Sequence, residues 1–169
     1  MKIHKYERHF KRDKFDCGKE PLNNYIQRNV TKDVKAGTCT CFIIKNDDDE
    51  VIGYYTLSTE SIPIEDAPPQ FQKKIKYQYV PVILLGRLAL DQNHSGKGLG
   101  RFLLVNALRR CLDVATNHVG AVAVIVDPID EEAKDYYQKY GFVMLPDSGR
   151  MFMSMKTIEN AFKEVSNKT

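Results

Sequence analysis

The sequence predicts a mixed α/β fold, because apolar residues at helical spacing alternate along the chain with segments of strand-like pattern. The 169 residues are 43% hydrophobic and 28% charged, which is typical of a globular protein of one domain, residues 1–169. No apolar run reaches the ~18 residues that would span a bilayer, and the basic amino terminus lacks the apolar core of a secretion signal. We therefore expect a single cytoplasmic domain that does not enter a membrane.

The first half of the chain is predicted to contain one helix followed by an antiparallel hairpin. Apolar residues recur at helical spacing over 20–35, between a first-turn proline and a following glycine. The period then changes to two over 38–45 and 51–58, with a polar turn between them, as expected of paired strands. Three prolines interrupt the pattern between 63 and 69 and predict a loop or short helix that could act as a lid.

The second half is predicted to begin with a central strand over 80–91, where the nearly continuous apolar run suits a strand covered on both faces. Gly86 interrupts this run and predicts a bulge or a close approach to the backbone. Four further elements follow, namely an amphipathic helix at 99–115, a buried strand at 120–126, a helix at 130–140 and a last strand at 151–156. The order of these elements predicts a mixed sheet.

The cysteines predict neither disulfides nor a metal site. They are Cys17, Cys39, Cys41 and Cys111, in a chain without an export signal and without any Cys-x-x-Cys pair. Reduced thiols that take part in packing are therefore expected, with no bound metal.

A glycine-rich loop links the central strand to the amphipathic helix and carries the strongest functional signal. Glycines at 96, 98 and 100 let the chain turn tightly, and the helix behind them directs unpaired N–H groups and its positive end at an anion. Lys97 is followed by glycine, which disfavours a nucleoside-triphosphate loop, and the Gly-x-Gly-x-Gly spacing disfavours a dinucleotide loop. Two interpretations remain at this point, another phosphorylated ligand or a helix entry that binds nothing.

Two segments resemble the GNAT N-acetyltransferase superfamily, in the order and at the separation found there. Residues 95–100 match its Gln/Arg-x-x-Gly-x-Gly/Ala loop at Gly98 and Gly100, with Ser95 at the Gln/Arg position. Residues 127–142 are similar to its Asn-x-x-Ala-x-x-Phe-Tyr-x-x-x-Gly-Phe segment. The resemblance covers nearly the full length. It implies a mostly antiparallel central sheet with helices on both faces and a splayed strand pair that holds acetyl-CoA.

The resemblance also implies roles for individual residues. Acetyl-CoA would be held by the main chain of the central strand and by the loop, at Leu88, Ala89, Leu90, Ser95, Gly96, Lys97, Gly98, Leu99, Gly100 and Arg101. Asp130 stands where the superfamily has the Asn that contacts pantetheine, and Tyr137 falls on the tyrosine that protonates the departing thiolate. The alternative for Tyr137 is a purely structural role in packing its helix.

The sequence offers no clear general base, which bears on the nature of the acceptor amine. The central strand lacks a carboxylate from 84 to 90, so Glu60 and Asp91 are the remaining candidates, and each is expected to be a solvated side chain. At pH 7 an α-amine with a pKa near 7.7 to 8 is roughly 10 to 17% neutral, whereas a lysine amine is only about 0.04% neutral. A site without a strong base therefore favours an α-amine.

Four further segments are similar to the toxin branch of the superfamily, which acetylates the α-amine of aminoacyl-tRNA. These segments are residues 15–18, 22–25, 53–58 and 85–89. The resemblance implies a small ribbon-helix-helix antitoxin as partner, and homodimers are common in the superfamily. It also implies that the basic residues within 1–19, together with Lys73, Lys74, Lys76 and Arg87, meet the tRNA. Pairing with a buried acid is the alternative for Arg87.

Two other functions stay open. One is a protein or small-molecule amine N-acetyltransferase that does not use tRNA. The other is a sensor that binds acyl-CoA without catalysing a reaction.

Overall fold

The computed structural model describes residues 1–169 and contains one mixed sheet of seven strands in the order β1-β2-β3-β4-β5-β7-β6. The strands are β1 (His4–Lys5), β2 (Thr40–Lys45), β3 (Val51–Pro63), β4 (Tyr79–Leu90), β5 (Ala123–Val126), β6 (Val143–Met144) and β7 (Met151–Ser154). The β1–β2, β2–β3, β5–β7 and β6–β7 pairs are antiparallel, while β4 and β5 pair in parallel. This arrangement confirms the predicted mixed, mostly antiparallel sheet.

Six α-helices accompany the sheet. They are α1 (Glu20–Asn24), α2 (Val30–Ala36), α3 (Pro69–Lys74), α4 (Leu99–Asn117), α5 (Glu131–Lys139) and α6 (Met155–Ser166). A π-helical turn, Tyr25–Asn29, joins α1 to α2, so the single helix predicted over 20–35 is continuous but locally widened. The proline-rich stretch after β3 forms a short 3₁₀ turn and α3, in agreement with the predicted loop or short helix.

The chain divides into two compact units, of which the first comprises residues 1–58 and 85–107. Its core is built from buried aromatic and aliphatic side chains, among them Tyr6, Phe10, Phe15, Tyr25, Ile26, Val30, Ile43, Tyr54 and Ala89. The hydroxyl of Tyr54 donates to the carbonyl of Leu22 at 2.7 Å, which ties α1 to β3. This core supports the end of β4 that leads into the glycine loop.

The second unit comprises residues 59–84 and 108–169. Its core includes Ile62, Val80, Val82, Ala123, Ile125, Leu145 and Phe152. The ring of Phe71 on α3 packs edge-on against Phe152 with ring centroids 5.2 Å apart, so α3 is anchored to this core by its apolar side.

The carboxyl-terminal part differs from the prediction. The last strand was expected over 151–156, but β7 ends at Ser154 and α6 begins at the next residue. The side chain of Ser154 accepts a hydrogen bond from the amide of Thr157, and this N-cap stabilises the start of a helix where a strand was predicted. The two-residue strands β1 and β6 were also missed, because two residues carry no measurable period.

The four cysteines are free thiols. The structure contains no group of three or more His, Cys, Asp and Glu side chains arranged to hold a metal ion. None of its helices combines the length and the apolar character needed to cross a bilayer.

Candidate active site

The glycine loop turns at two left-handed residues. Gly96 and Gly98 have φ angles of 77° and 74°, a region that side chains other than glycine adopt only under strain. A Cβ added at either position would meet no atom within 4 Å. Glycine is therefore needed at these positions because of the backbone conformation. There would be room for a larger side chain. Gly100 lies in the first turn of α4 and has no positive φ.

The amino-terminal end of α4 is open to an anion. The amide of Phe102 donates to the carbonyl of Gly98 at 3.0 Å, which is the first bond of the helix. The amides of Leu99, Gly100 and Arg101 precede that bond, where no carbonyl of the helix is available to them. Exposed side chains surround this end, namely Ser95, Lys97 and Arg101. The loop thus combines free main-chain donors, the positive end of a 19-residue helix and two cations.

Asp91 caps the short turn, Gln92–His94, that leads from β4 to the glycine loop. Its carboxylate is buried, with one oxygen accepting from the amide of Asn93 at 2.9 Å and the other from the amide of Asp16 at 3.0 Å. Because both oxygens are engaged by main-chain donors, this side chain is structural and is poorly suited to act as a base. The expectation that Asp91 is solvated was wrong.

The strand before the loop pairs with β5 over only a small part of its length. The parallel ladder between β4 and β5 consists of Ile83 with Val124 and Leu84 with Ile125, although β4 continues to Leu90. The ladder thus ends two residues before Gly86, near the predicted irregularity. Leu88 and Leu90 are half-buried and Ala89 is buried, which places this strand end at the edge of the core.

Arg87 stacks on an aromatic ring and does not pair with an acid. Its guanidinium carbon lies 3.5 Å from the ring centroid of Tyr25, which belongs to the π-helical turn. The hydroxyl of Tyr25 is in turn hydrogen-bonded to the sulfur of Cys39 at 3.1 Å. The alternative of a buried acid partner is therefore wrong, and the stacked guanidinium keeps its N–H edge for an external acceptor.

Tyr137 lies on α5 in the second unit and has a free hydroxyl. Its ring packs edge-on against Phe142 at 5.3 Å and Tyr136 at 5.5 Å, and the side chain is 8% exposed. Burial, with a smaller contribution from neighbouring Tyr136, raises the pKa of Tyr137 well above that of an ordinary phenol. The phenol therefore remains protonated at neutral pH and can donate a proton. Tyr136 also has a buried hydroxyl without a partner, and burial raises its pKa to about 12.

The other predicted residues of the second unit lie on α5 and α3. Asp130 is the N-cap of α5, with one carboxylate oxygen accepting from the amide of Ala133 at 2.8 Å. Lys73 and Lys74 end α3 and Lys76 follows it, and all three are exposed. The structure thus gathers Arg87, the strand end and the glycine loop in one unit, and Asp130, Tyr137 and the lysines in the other.

The sequence did not indicate an ion cluster centred on Arg150. The guanidinium donates to both oxygens of Glu60 at 2.8 and 2.6 Å, and to both oxygens of Asp127 at 2.7 and 3.2 Å. These hydrogen bonds, first of all those to Glu60, raise the pKa of Arg150 above its usual range. With both its oxygens occupied, Glu60 is a poor candidate for the general base, and it is not the solvated side chain that we expected.

Replacing Arg150 by methionine is expected to destabilise the protein by about 1 to 3 kcal/mol, because two carboxylates would face each other without their cation. The loss should be less than for a fully buried pair, since Asp127 is 53% exposed and solvent screens it. Thermal unfolding should show a Tm lower by about 2 to 4 °C for each kcal/mol lost. The matched control is Lys163→Met, which breaks the exposed pair with Glu159 and should change Tm by less than about 1 °C. Equal effects of the two variants would contradict the structural role of Arg150.

A mixed sheet whose central strand leads into an exposed glycine loop and the open amino-terminal end of a helix is compatible with a transferase that takes its acyl group from coenzyme A. A family model described as the Acetyltransferase (GNAT) family matches residues 3–142, and the chain belongs to this family.

Relatives of known or assigned function are similar over most of their length. A tRNA-acetylating toxin of Mycobacterium tuberculosis (strain ATCC 25618 / H37Rv) is 33% identical over 143 residues, which cover 84% of each chain. The structure of AtaT complexed with acetyl-methionyl-tRNAfMet is 27% identical, with a TM-score of 0.88 over 95% of this chain and 98% of that one. The structure of AtaTR bound with AcCoA is 28% identical, with a TM-score of 0.84 over 95% and 97%.

Proposed function

We propose that this protein transfers the acetyl group of acetyl-CoA to the α-amine of aminoacyl-tRNA, and that it acts as a toxin that inhibits translation. The observation that carries the proposal is the similarity, over most of both chains, to a tRNA-acetylating toxin and to AtaT complexed with an acetylated aminoacyl-tRNA. The exposed glycine loop, which is open to a pyrophosphate, supports acetyl-CoA as the donor.

The donor is held mainly by the main chain. The amides from Gly96 to Arg101 bind the pyrophosphate, and the side chains of Ser95, Lys97 and Arg101 stand around it. The backbone of Leu88, Ala89 and Leu90 bonds the pantetheine arm along the end of β4. Asp130, at the start of α5, stands where the superfamily has the Asn that contacts this arm. Acetyl-CoA supplies a thioester, and the neutral amine attacks its carbonyl carbon.

Tyr137 is the general acid. A protonated phenol aligned with the sulfur donates its proton as the thiolate leaves, since the resulting thiol has a pKa near 8.5 and holds the proton at neutral pH. Burial raises the pKa of Tyr137, so the phenol is fully protonated at neutral pH, and its role as the acid depends on alignment with the leaving sulfur because the same shift makes it a weaker acid. The hydroxyl makes no hydrogen bond within the protein that would have to be broken first.

The acceptor site works without a strong protein base. Glu60 and Asp91 are both held by hydrogen bonds, so neither is free to take a proton from an ammonium group. An α-amine already has a sizeable neutral fraction at pH 7, as calculated above, and water suffices to carry its proton away. The guanidinium of Arg87, stacked on the ring of Tyr25, contacts a phosphate near the acceptor end of the tRNA. The ammonium groups of Lys73, Lys74 and Lys76 contact other phosphates of the tRNA backbone.

The pH dependence should report the acceptor amine and not the tyrosine. Below the α-amine pKa of about 7.7 to 8, kcat/KM for charged tRNA should rise about tenfold per pH unit, and then level off. Because the pKa of Tyr137 is raised, its acid form persists as pH rises, so no decline is expected up to about pH 9.5. Initial rates between pH 6 and 9.5 provide the check. A decline beginning below pH 9 would contradict the role given to Tyr137.

The activity is tested with purified protein, acetyl-CoA labelled in the acetyl group, and bulk charged tRNA. Label should enter charged tRNA and not uncharged tRNA, and the addition of protein and acetyl-CoA to a cell-free system should stop translation. Labelling of polyamines or lysine peptides with none in tRNA would overturn the tRNA proposal in favour of a general amine acetyltransferase. Tight binding of acetyl-CoA without turnover on any amine would indicate a sensor.

We propose further that the chain is a single domain that acts in the cytoplasm as a homodimer and is neutralised by a ribbon-helix-helix antitoxin. Light scattering of the purified protein tests the dimer, which should have twice the 19.4 kDa mass of the chain. Co-expression with the product of the adjacent reading frame tests the antitoxin, because a cognate partner should restore growth and co-purify.

A further inference from the structure

A basic and aromatic segment extends from the end of α3 to the first residue of β4, and we call it the Lys–Tyr strip. It consists of Lys73, Lys74, Lys76, Tyr77 and Tyr79. Tyr77 is 79% exposed and Tyr79 is 57% exposed, although tyrosine rings usually bury most of their area. None of the five side chains takes part in a hydrogen bond, ion pair or ring contact. Both rings and all three ammonium groups are therefore available to a partner.

The backbone of the Lys–Tyr strip is anchored by packing of its neighbours against the core of the second unit and by a main-chain hydrogen bond. Phe71 packs against Phe152, and Ile75 belongs to the same apolar cluster of the second unit. The amide of Ile64 donates to the carbonyl of Gln78 at 2.9 Å, which fixes the backbone between the two tyrosines. The exposure of the rings is thus a feature of a well-anchored segment and not of a frayed end.

The charge of this surface suits a polyanion. Residues 67–90 contain three lysines and Arg87 but no aspartate or glutamate. The nearest acids along the chain are Glu65 and Asp66, in the 3₁₀ turn before α3. The strip therefore presents an excess of positive charge that extends over several residues.

A shallow cavity of about 390 Å³, widely open to solvent, lies beside Tyr77. Its wall contains the apolar side chains of Ile64 and Ile75, the amides of Gln72 and Gln78, and the charged side chains of Lys76 and Glu65. The side-chain nitrogen of Gln72 donates to the carbonyl of Ala67 at 2.9 Å and to that of Glu65 at 3.2 Å. This orients the amide so that its oxygen remains free to accept. An open cavity with apolar side chains, a ring at its edge, and amide and carboxylate groups in its wall has the chemistry that recognises a planar, hydrogen-bonding base, because a carboxylate oxygen can accept from the amino group of such a base.

We propose that the Lys–Tyr strip binds an unpaired segment of RNA in the tRNA substrate, with one base in the cavity against Tyr77 and a neighbouring base on Tyr79. The lysines contact the phosphates that link these bases. An acidic peptide would use the same lysines but has no need of two exposed rings, so the tyrosines favour RNA. This inference rests on the proposed function, because it assumes that the substrate is a tRNA.

The test measures the fluorescence anisotropy of a labelled single-stranded RNA of 12 nucleotides, the same RNA in a duplex, and a glutamate-rich peptide, each titrated with the full chain. The single strand should bind more tightly than the duplex or the peptide. Replacing Tyr77 and Tyr79 together by alanine should weaken its binding by about 30-fold or more, because two stacked bases are released and each is worth about 5- to 150-fold. The double phenylalanine variant should bind within about twofold of the parent, because the rings remain.

Two further variants sharpen the result. Alanine at Val119 and Val165, exposed apolar residues elsewhere in the same unit, should leave binding unchanged. Glutamine at Lys73, Lys74 and Lys76 should reduce the slope of log affinity against log salt by about 2, or ~0.7 for each lost phosphate contact. Equal binding of the single strand by the alanine variant and the parent would overturn the proposal, as would tighter binding of the duplex or the peptide.

The binding measurement uses uncharged RNA and no acetyl-CoA, so it is independent of catalysis. Acetylation of charged tRNA is assayed separately with the parent and the double alanine variant. An unchanged KM for charged tRNA in that variant would overturn the role of the strip while leaving the proposed function intact. Failure of the parent to acetylate any charged tRNA would instead count against the proposed function, whatever the RNA affinity.

Discussion

Replacing Tyr137 by phenylalanine is expected to lower the rate of acetyl transfer to charged tRNA by about 10²- to 10⁴-fold, the usual contribution of a general acid. The substitution removes only the hydroxyl, which makes no hydrogen bond within the protein, and keeps the ring between Tyr136 and Phe142. Acetyl-CoA should therefore bind with nearly unchanged affinity and Tm should be the same within about 1 °C. Single-turnover kinetics, calorimetry and thermal unfolding measure the three quantities.

The neighbouring tyrosine provides the matched control. Tyr136 lies on the same helix, and its hydroxyl also lacks a partner, so Tyr136→Phe removes a comparable group from a residue outside the proposed site. Transfer by that variant should stay within about twofold of the parent. If Tyr136→Phe abolished transfer and Tyr137→Phe did not, the general acid would be assigned wrongly.

Replacing Gly98 by valine is expected to raise the KM for acetyl-CoA by about 5- to 150-fold. A branched side chain at a φ of 74° costs roughly 1 to 3 kcal/mol, and the loop can relieve that strain only by moving the amides that face the pyrophosphate. The effect should be seen as weaker coenzyme binding in calorimetry. Part of the strain should also appear as a lower free energy of unfolding.

Gly120 serves as the control for this substitution. It has open space around its Cβ position and no positive φ, so Gly120→Val should leave both coenzyme affinity and stability nearly unchanged. An unchanged affinity in Gly98→Val would mean that the loop amides do not hold the donor.

Most of the secondary structure could be predicted because its signals are local. The apolar period of α4, the first-turn proline of α1 and the polar turn between β2 and β3 are each contained within a few residues of sequence. The shortest strands and α6 were missed for different reasons. The strands are too short for a period, whereas α6 has local signals, a capping serine and apolar residues at helical spacing, which the prediction of a strand over 151–156 overlooked.

The candidate site was predictable where its chemistry depends on backbone conformation. Glycines at 96 and 98 predict a tight turn ahead of a helix, and in the structure both have the positive φ angles of the left-handed region. The partners of Arg87 and Glu60 could not be predicted. Tyr25 is 62 positions from Arg87, and Glu60 is 90 positions from Arg150, and no local pattern connects residues so far apart.

The linear order of residues is enough to predict the mixed α/β class and the left-handed glycine loop ahead of a helix, because each of these depends on neighbours along the chain, while the proposed role of Tyr137 rests on the resemblance to the superfamily. Folding in three dimensions settles which charged groups are free. It engages Glu60 and Asp91 in hydrogen bonds, stacks Arg87 on Tyr25, and leaves Tyr77 and Tyr79 exposed. A side chain's partners are set by strands and helices brought together from distant parts of the chain, and these partners decide whether it can take a proton, bind a phosphate or stack on a base.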